Sequence, residues 1–193
     1  MNNKKILISV FILVALVQMY VPAKMILDKE NVLEKGTEYK FKTVPIDPND
    51  PFRGKYIRLG YTENKVAIPN EKDWIRGETV YVSLSMDHSG FARIKSISKG
   101  EPTDDQNFIK AKVAFVTGND SNELIINYPF GRYYLEESKA DQAESAYGQS
   151  RRDTVQITYA LVSVKDGDAV LKDVLIDGIS IKEIVKGNQK NEK

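Results

Sequence analysis

The segment "TVYVSLSMDHSGFARI", residues 79–94, decides the fold class of this chain. Its first half alternates polar with apolar side chains, and the apolar set is Val80, Val82, Leu84 and Met86. A period of two places these four side chains on one face of a β-strand. Turn-forming residues follow at 87–90, and a second short run begins at Phe91. The segment therefore predicts an antiparallel β-hairpin.

The same alternation extends over most of the chain. It recurs in five further stretches, at 39–41, 57–61, 109–115, 124–128 and 155–161. Asp-Gly pairs at 166–167 and 177–178 predict two tight hairpin turns. Residues 136–147 depart from the pattern, because their alanines have helical spacing and Gly148 follows as a stop. We therefore expect a mostly β fold, an antiparallel barrel or sandwich with one short helix.

The N-terminus has a different character. Lys4 and Lys5 precede an apolar run, Ile6 to Ala23, that contains no charged residue. These eighteen residues would span about 27 Å as a helix, enough to cross the hydrocarbon core of a bilayer. The run is either a signal anchor that stays in the membrane or a signal peptide cleaved after Val21-Pro22-Ala23. Its length favours the anchor.

These segments give the predicted domain organisation. Residues 1–24 form the signal anchor, 25–36 a connector, 37–186 the β-rich domain and 187–193 a disordered polar tail. The paired lysines favour a cytoplasmic N-terminus. We therefore expect a single-pass protein of the cell membrane with an extracytoplasmic C-terminal domain, which is secreted if the N-terminal run is cleaved.

The composition argues against several classes of function. The 193 residues carry a formal net charge of +1, too little for the basic field of a nucleic-acid-binding protein. The chain has no cysteine, which excludes disulfides, thiolate metal sites and a cysteine nucleophile. His88 is the single histidine, and one turn histidine cannot build a zinc site. We expect no cofactor, no metal and no nucleic-acid partner.

A proline-rich turn holds the first candidate site residues. Asp47 and Asp50 each precede a proline. Their carboxylates could bind Ca²⁺, but calcium takes six or more oxygen ligands, and side-chain bonds to the turn backbone explain the same residues. Arg53 follows directly and either pairs with one of these aspartates or clamps an anionic ligand.

The strand after this turn carries Gly54, Tyr56, Leu59 and Tyr61. Alternation places Tyr56 and Tyr61 on opposite faces. Tyr61 shares its face with Leu59, so we predict that Tyr61 is buried. Tyr56, together with Arg58, is then the outward candidate for contact with a carbohydrate, a peptide or a protein surface.

A second cluster contains Arg132, Tyr133 and Glu136. A glutamate with tyrosine and arginine support could assist hydrolysis, although glycosidase chemistry normally needs two positioned carboxylates. An envelope hydrolase that uses Asp47, Asp50 or Glu136 is therefore an alternative interpretation.

These motifs resemble a known family. Gly54-x-Tyr56-x-x-Leu59-x-Tyr61 is similar to the pattern for which the GDYXXLXY proteins are named, and so are the lead-in at 43–53 and the segment 130–136. The family has aspartate at its second motif position, whereas this chain has Lys55, which argues against an acid, base or metal-ligand role there. The resemblance implies a bacterial, membrane-associated protein without an established activity, often encoded near multi-pass membrane proteins.

Together these observations favour a binding protein over an enzyme. We expect a membrane-anchored extracytoplasmic β-domain, an accessory module for a multi-pass membrane protein or an envelope component.

Overall fold

The computed structural model describes residues 3–44, 56–70, 73–117, 122–136, 143, 146–148, 150 and 156–191. A long helix, α1 (Asn3–Lys35), begins the described chain, and a short helix, α2 (Ile181–Asn191), ends it. The residues described between them include twelve strands: β1 (Thr37–Val44), β2 (Tyr56–Arg58), β3 (Gly60–Tyr61), β4 (Lys65–Ala67), β5 (Thr79–Met86), β6 (Ala92–Ser98), β7 (Phe108–Thr117), β8 (Glu123–Asn127), β9 (Arg132–Tyr134), β10 (Thr158–Lys165), β11 (Asp168–Ile176) and β12 (Ile179–Ser180). The fold is mostly β, as the alternation predicts.

The strands form two five-stranded antiparallel sheets and one two-stranded ribbon. The sheets have the orders β12-β11-β10-β1-β3 and β4-β8-β7-β5-β6, and the ribbon pairs β2 with β9. One seam between the sheets is a hydrogen bond from the Lys40 N–H to the Gly90 carbonyl, at 3.3 Å. At the other seam, the Lys110 N–H donates a hydrogen bond to the Gly167 carbonyl at 2.9 Å. Of the two predicted architectures, the chain therefore adopts the barrel, which is nearly closed.

The hairpin predicted at 79–94 is present as β5 and β6. The Asp87 N–H donates to the Phe91 carbonyl at 2.9 Å, and the Asp87 carboxylate accepts from the N–H groups of Ser89 and Phe91. Three of the four predicted inward residues are buried. Met86 is 45% exposed, because it ends the strand at the turn, where the barrel wall no longer covers it.

Both predicted Asp-Gly turns are confirmed. Asp166 and Gly167 have φ of 49° and 87°, and Asp177 and Gly178 have φ of 50° and 84°. Two successive positive φ values define the type I′ turn, whose twist matches that of paired strands. Glycine is favoured at position 167 for two reasons: its φ is positive, and a Cβ there would lie 2.8 Å from the Phe108 ring.

Helix α1 continues through 25–35, where the sequence predicts a connector. It is long and apolar enough to cross a membrane, and its apolar window is not buried against the protein. Its last turn packs on the barrel: Val32 is 4% exposed, and the Ser163 hydroxyl donates to the Val32 carbonyl at 2.6 Å. A Cβ on Gly36 would lie 2.4 Å from that carbonyl and 2.5 Å from the Ser163 Oγ, so only glycine fits this junction.

Helix α2 is not among the predicted elements. It begins directly after β12 and buries Ile181 and Val185, which are spaced one helical turn apart. The helix extends through 187–191, which were predicted to be a disordered tail, because it propagates from this buried first turn. The helix predicted within 136–147 is present, because Ala143 and Tyr147 are helical and buried. Its predicted bounds are wrong: Glu136 is not helical, and the helix includes both Gly148, which was predicted as the stop, and the buried Ser150.

Candidate functional site

Described members of both predicted groups of site residues meet in the β2–β9 ribbon. The antiparallel register pairs Tyr56 with Tyr134, Ile57 with Tyr133 and Arg58 with Arg132. Beyond the ribbon, the Leu59 N–H donates to the Gly131 carbonyl at 3.0 Å. The family-like motif and the second cluster are therefore one structural element, which their separation along the chain does not reveal.

The inward face of the ribbon is anchored in the core through Tyr133. Its hydroxyl donates to the Asp173 carboxylate at 2.6 Å, which connects β9 to β11. The Lys182 ammonium of α2 lies 5.5 Å from the centre of the same ring. Burial raises the pKa of the Tyr133 phenol above its ordinary value, and the neighbouring Asp173 raises it further. Tyr133 thus holds the ribbon in a fixed position on the barrel.

Tyr61 lies behind the ribbon in a cluster of four aromatic rings. The cluster consists of the rings of Phe41, Tyr61, Tyr128 and Phe130, and their centroids lie 5.1–5.9 Å from one another. The Tyr61 hydroxyl donates to the Phe130 carbonyl at 2.8 Å, so its polar end is satisfied inside the core. Burial raises the pKa of the Tyr61 phenol. The inward orientation predicted for Tyr61 is confirmed, and Leu59 is buried on the same side.

The outward side chains of the ribbon form what we call the tyrosine–arginine face: Tyr56, Arg58, Arg132 and Tyr134. Tyr134 is 66% exposed, and its ring centre lies 5.7 Å from that of Tyr56. The Arg132 guanidinium lies 5.1 Å from the centre of the Tyr56 ring, a cation–π arrangement. The outward position predicted for Tyr56 and Arg58 agrees with this geometry. Their alignment with Arg132 and Tyr134 could be known only from the register.

Arg58 lies directly opposite Arg132 in the ribbon. Like charges at opposite positions of an antiparallel pair are destabilising. No ion pair connects Arg58 to another side chain within the part of the chain that the structure describes. Arg58 therefore brings an exposed positive charge to a face that also carries two phenol rings.

Of the three carboxylate candidates, the structure describes only Glu136. Asp47, Asp50, Arg53 and Gly54 lie outside the described residues. Glu136 itself is exposed, two residues after β9. Among the described residues, no group of three or more histidine, aspartate or glutamate side chains could hold a metal ion. The envelope-hydrolase alternative stays a prediction.

The comparison with known protein families agrees with the motif. The family model described as GDYXXLXY protein matches residues 18–174, which include the ribbon and the four-ring cluster. The chain belongs to the GDYXXLXY family. Comparisons with curated proteins and with solved structures gave no match. Its function must therefore be inferred from the geometry of this GDYXXLXY protein itself.

Proposed function

We propose that this GDYXXLXY protein is a membrane-anchored binding module whose tyrosine–arginine face binds an acidic segment of a multi-pass membrane protein. The observation that supports this most directly is the exposed guanidinium of Arg58, which has no ion pair within the described residues and lies on the same face as Tyr56 and Tyr134. A partner carboxylate can accept bidentate hydrogen bonds from this guanidinium. An acidic partner therefore gains more at this position than a neutral one.

The composition of the face supports a protein partner. Tyrosine and arginine are the residue types most enriched, with tryptophan, at energetically dominant positions of protein interfaces. Tyr56 and Tyr134 offer adjacent ring surfaces with polar ends, which suits a contact that is partly apolar and partly wet.

The ribbon is also organised before binding. Tyr133 is tied to Asp173, and the neighbouring strand is held by the Leu59–Gly131 hydrogen bond. The outward side chains therefore project from a fixed backbone, which lowers the entropy cost of association. Anchoring by α1 would confine the face near membrane partners and raise its effective concentration there.

Cross-linking in native membranes tests the proposal. A photoreactive amino acid at Tyr134 of the full-length protein should capture one multi-pass membrane protein, whereas the same group at the exposed Phe115 on β7 should not. Equal capture from both positions would contradict the proposal, and so would capture of a soluble envelope component alone.

A charge-reversal variant provides a second test of the proposed binding face. Arg58→Glu places opposite charges across the ribbon, so the fold is retained while the positive face is lost. We expect recovery of the partner to fall about tenfold or more. The matched control is Lys112→Glu, which makes the same charge change at an exposed site on β7 and should leave recovery unchanged. Unchanged recovery with Arg58→Glu would refute the role of the face.

A further inference from the structure

We propose that a cavity at the junction of α1 with the barrel binds a zwitterionic phospholipid headgroup of the phosphoethanolamine type. The cavity has a volume of about 340 Å³ and is separate from the tyrosine–arginine face. This volume is at the lower end of the range of about 300–1,000 Å³ typical of small-molecule sites. Its walls come from α1, β5, β7, the β6–β7 and β8–β9 connections, and the β10–β11 turn with the start of β11.

The charges around the cavity are of both signs. Lys29 and Lys110 supply two cations, and Glu101, Asp166 and Asp168 supply three carboxylates. Lys29 and Asp168 form an ion pair at 2.5 Å across the gap between α1 and the turn. Within the described chain, Lys110, Glu101 and Asp166 have no ion pair of their own. The cavity therefore offers one cation and two carboxylates to a ligand.

This mixture selects the class of ligand. An anion such as free phosphate would be repelled by the carboxylates, and a simple amine would be repelled by the lysines. Repulsion therefore weakens the binding of either ion alone. A ligand with a phosphate and a primary ammonium meets both, because the phosphate contacts Lys110 and the ammonium donates to Glu101 and Asp166. Tyr81 and Phe108, packed edge to face with centroids 5.8 Å apart, add an aromatic wall beside the ammonium.

The position of the cavity along α1 indicates where the ligand comes from. This step rests on the membrane anchoring in the proposed function. The charge-free run ends at Ala23, and Lys29 comes five residues after Lys24, the first charge beyond it, a rise of about 7.5 Å along a helix. The headgroup layer of a bilayer extends about 5–8 Å beyond the hydrocarbon core on each side. Lys29 thus brings the cavity wall to the level of the headgroups.

Native mass spectrometry of the full-length protein, released from nanodiscs, tests this inference. The nanodiscs contain phosphatidylcholine with smaller, equal amounts of phosphatidylethanolamine and phosphatidylglycerol. We expect one phosphatidylethanolamine to be retained per chain, in preference to the other two lipids. Lys110→Glu should lower this retention about tenfold or more. Lys112→Glu, on the same strand and also exposed, should retain the lipid as the wild type does.

The possible outcomes separate the inference from the function on which it rests. Retention of the three lipids in proportion to their amounts, or equal retention by Lys110→Glu, would overturn the headgroup site but not the anchor. Release of the protein from the nanodiscs by a salt wash would overturn both. Equal occupancy by soluble phosphoethanolamine added to the detergent-solubilised protein would show that the ligand is a free zwitterion and not a lipid.

Discussion

Tyr56 and Tyr61 belong to the same family motif but have opposite environments. Tyr61 is 4% exposed, packs against three other rings and donates its hydroxyl to a backbone carbonyl. Tyr56 lies on the outer side of the ribbon, with the Arg132 guanidinium near its ring. An odd separation along an extended chain produces this difference, because successive side chains point to opposite faces. One short motif therefore builds the core with one tyrosine and places the other on the outer side of the ribbon.

Removing the buried ring should have the largest effect. Tyr61→Ala leaves a cavity among Phe41, Tyr128 and Phe130, and we expect the free energy of unfolding to fall by about 3–5 kcal/mol. Chemical denaturation of the full-length protein in detergent measures this. Tyr61→Phe is the control, since it keeps the ring and should lose only about 0.5–1.5 kcal/mol. Equal losses for both variants would mean that the hydroxyl, and not the ring, stabilises the cluster.

Alkaline pH should weaken the same core. Burial raises the pKa of Tyr61, Tyr128 and Tyr133, whereas these phenols ionise near their ordinary pKa of 10.0 in the unfolded chain. Their contribution to stability is thus complete below pH 10 and lost as the pH rises further, by up to about 4 kcal/mol per pH unit for three protons. Tyrosinate absorbance should show them ionising only on unfolding. Ionisation together with the exposed tyrosines would contradict their burial.

The contact that anchors the ribbon should have an intermediate effect. Tyr133→Phe removes the hydrogen bond to Asp173 and should cost about 1.5–3 kcal/mol, the range for bonds to charged groups. Thermal unfolding measures the loss. Asp173→Asn keeps an acceptor and should lose less; a larger loss would indicate that the charge of Asp173 has another role. If Tyr133→Phe also lowers partner recovery while Arg58 is intact, the anchor positions the face.

The outer tyrosine should have the smallest effect on stability. Tyr56→Ala removes a partly exposed ring and its cross-strand contacts with Tyr134 and Arg132, each worth at most about 1 kcal/mol. The same variant should nevertheless capture less of the partner in the membrane cross-linking assay. A stability loss as large as that of Tyr61→Ala would remove the contrast between the two tyrosines.

Local sequence signals predicted the elements that depend on local interactions. The 79–94 hairpin and the two Asp-Gly turns follow from alternation and from turn residues that accept positive φ. Helix α2 was missed, although Ile181 and Val185 share one face, because this apolar repeat covers little more than one helical turn before the polar residues 186–191. The burial of Ile181 and Val185 against the barrel stabilises a helix that would be marginal alone.

By itself, the sequence determined the strand-rich fold, an apolar N-terminal helix long enough to cross a membrane and the opposite orientations of Tyr56 and Tyr61, since each depends on side-chain periodicity or segment length. Only the tertiary structure decided between barrel and sandwich, placed Arg132 opposite Arg58 and joined α1 to β10 at Gly36. These features depend on pairings between distant segments. Their register follows from the packing of the whole core, which no single stretch of sequence encodes.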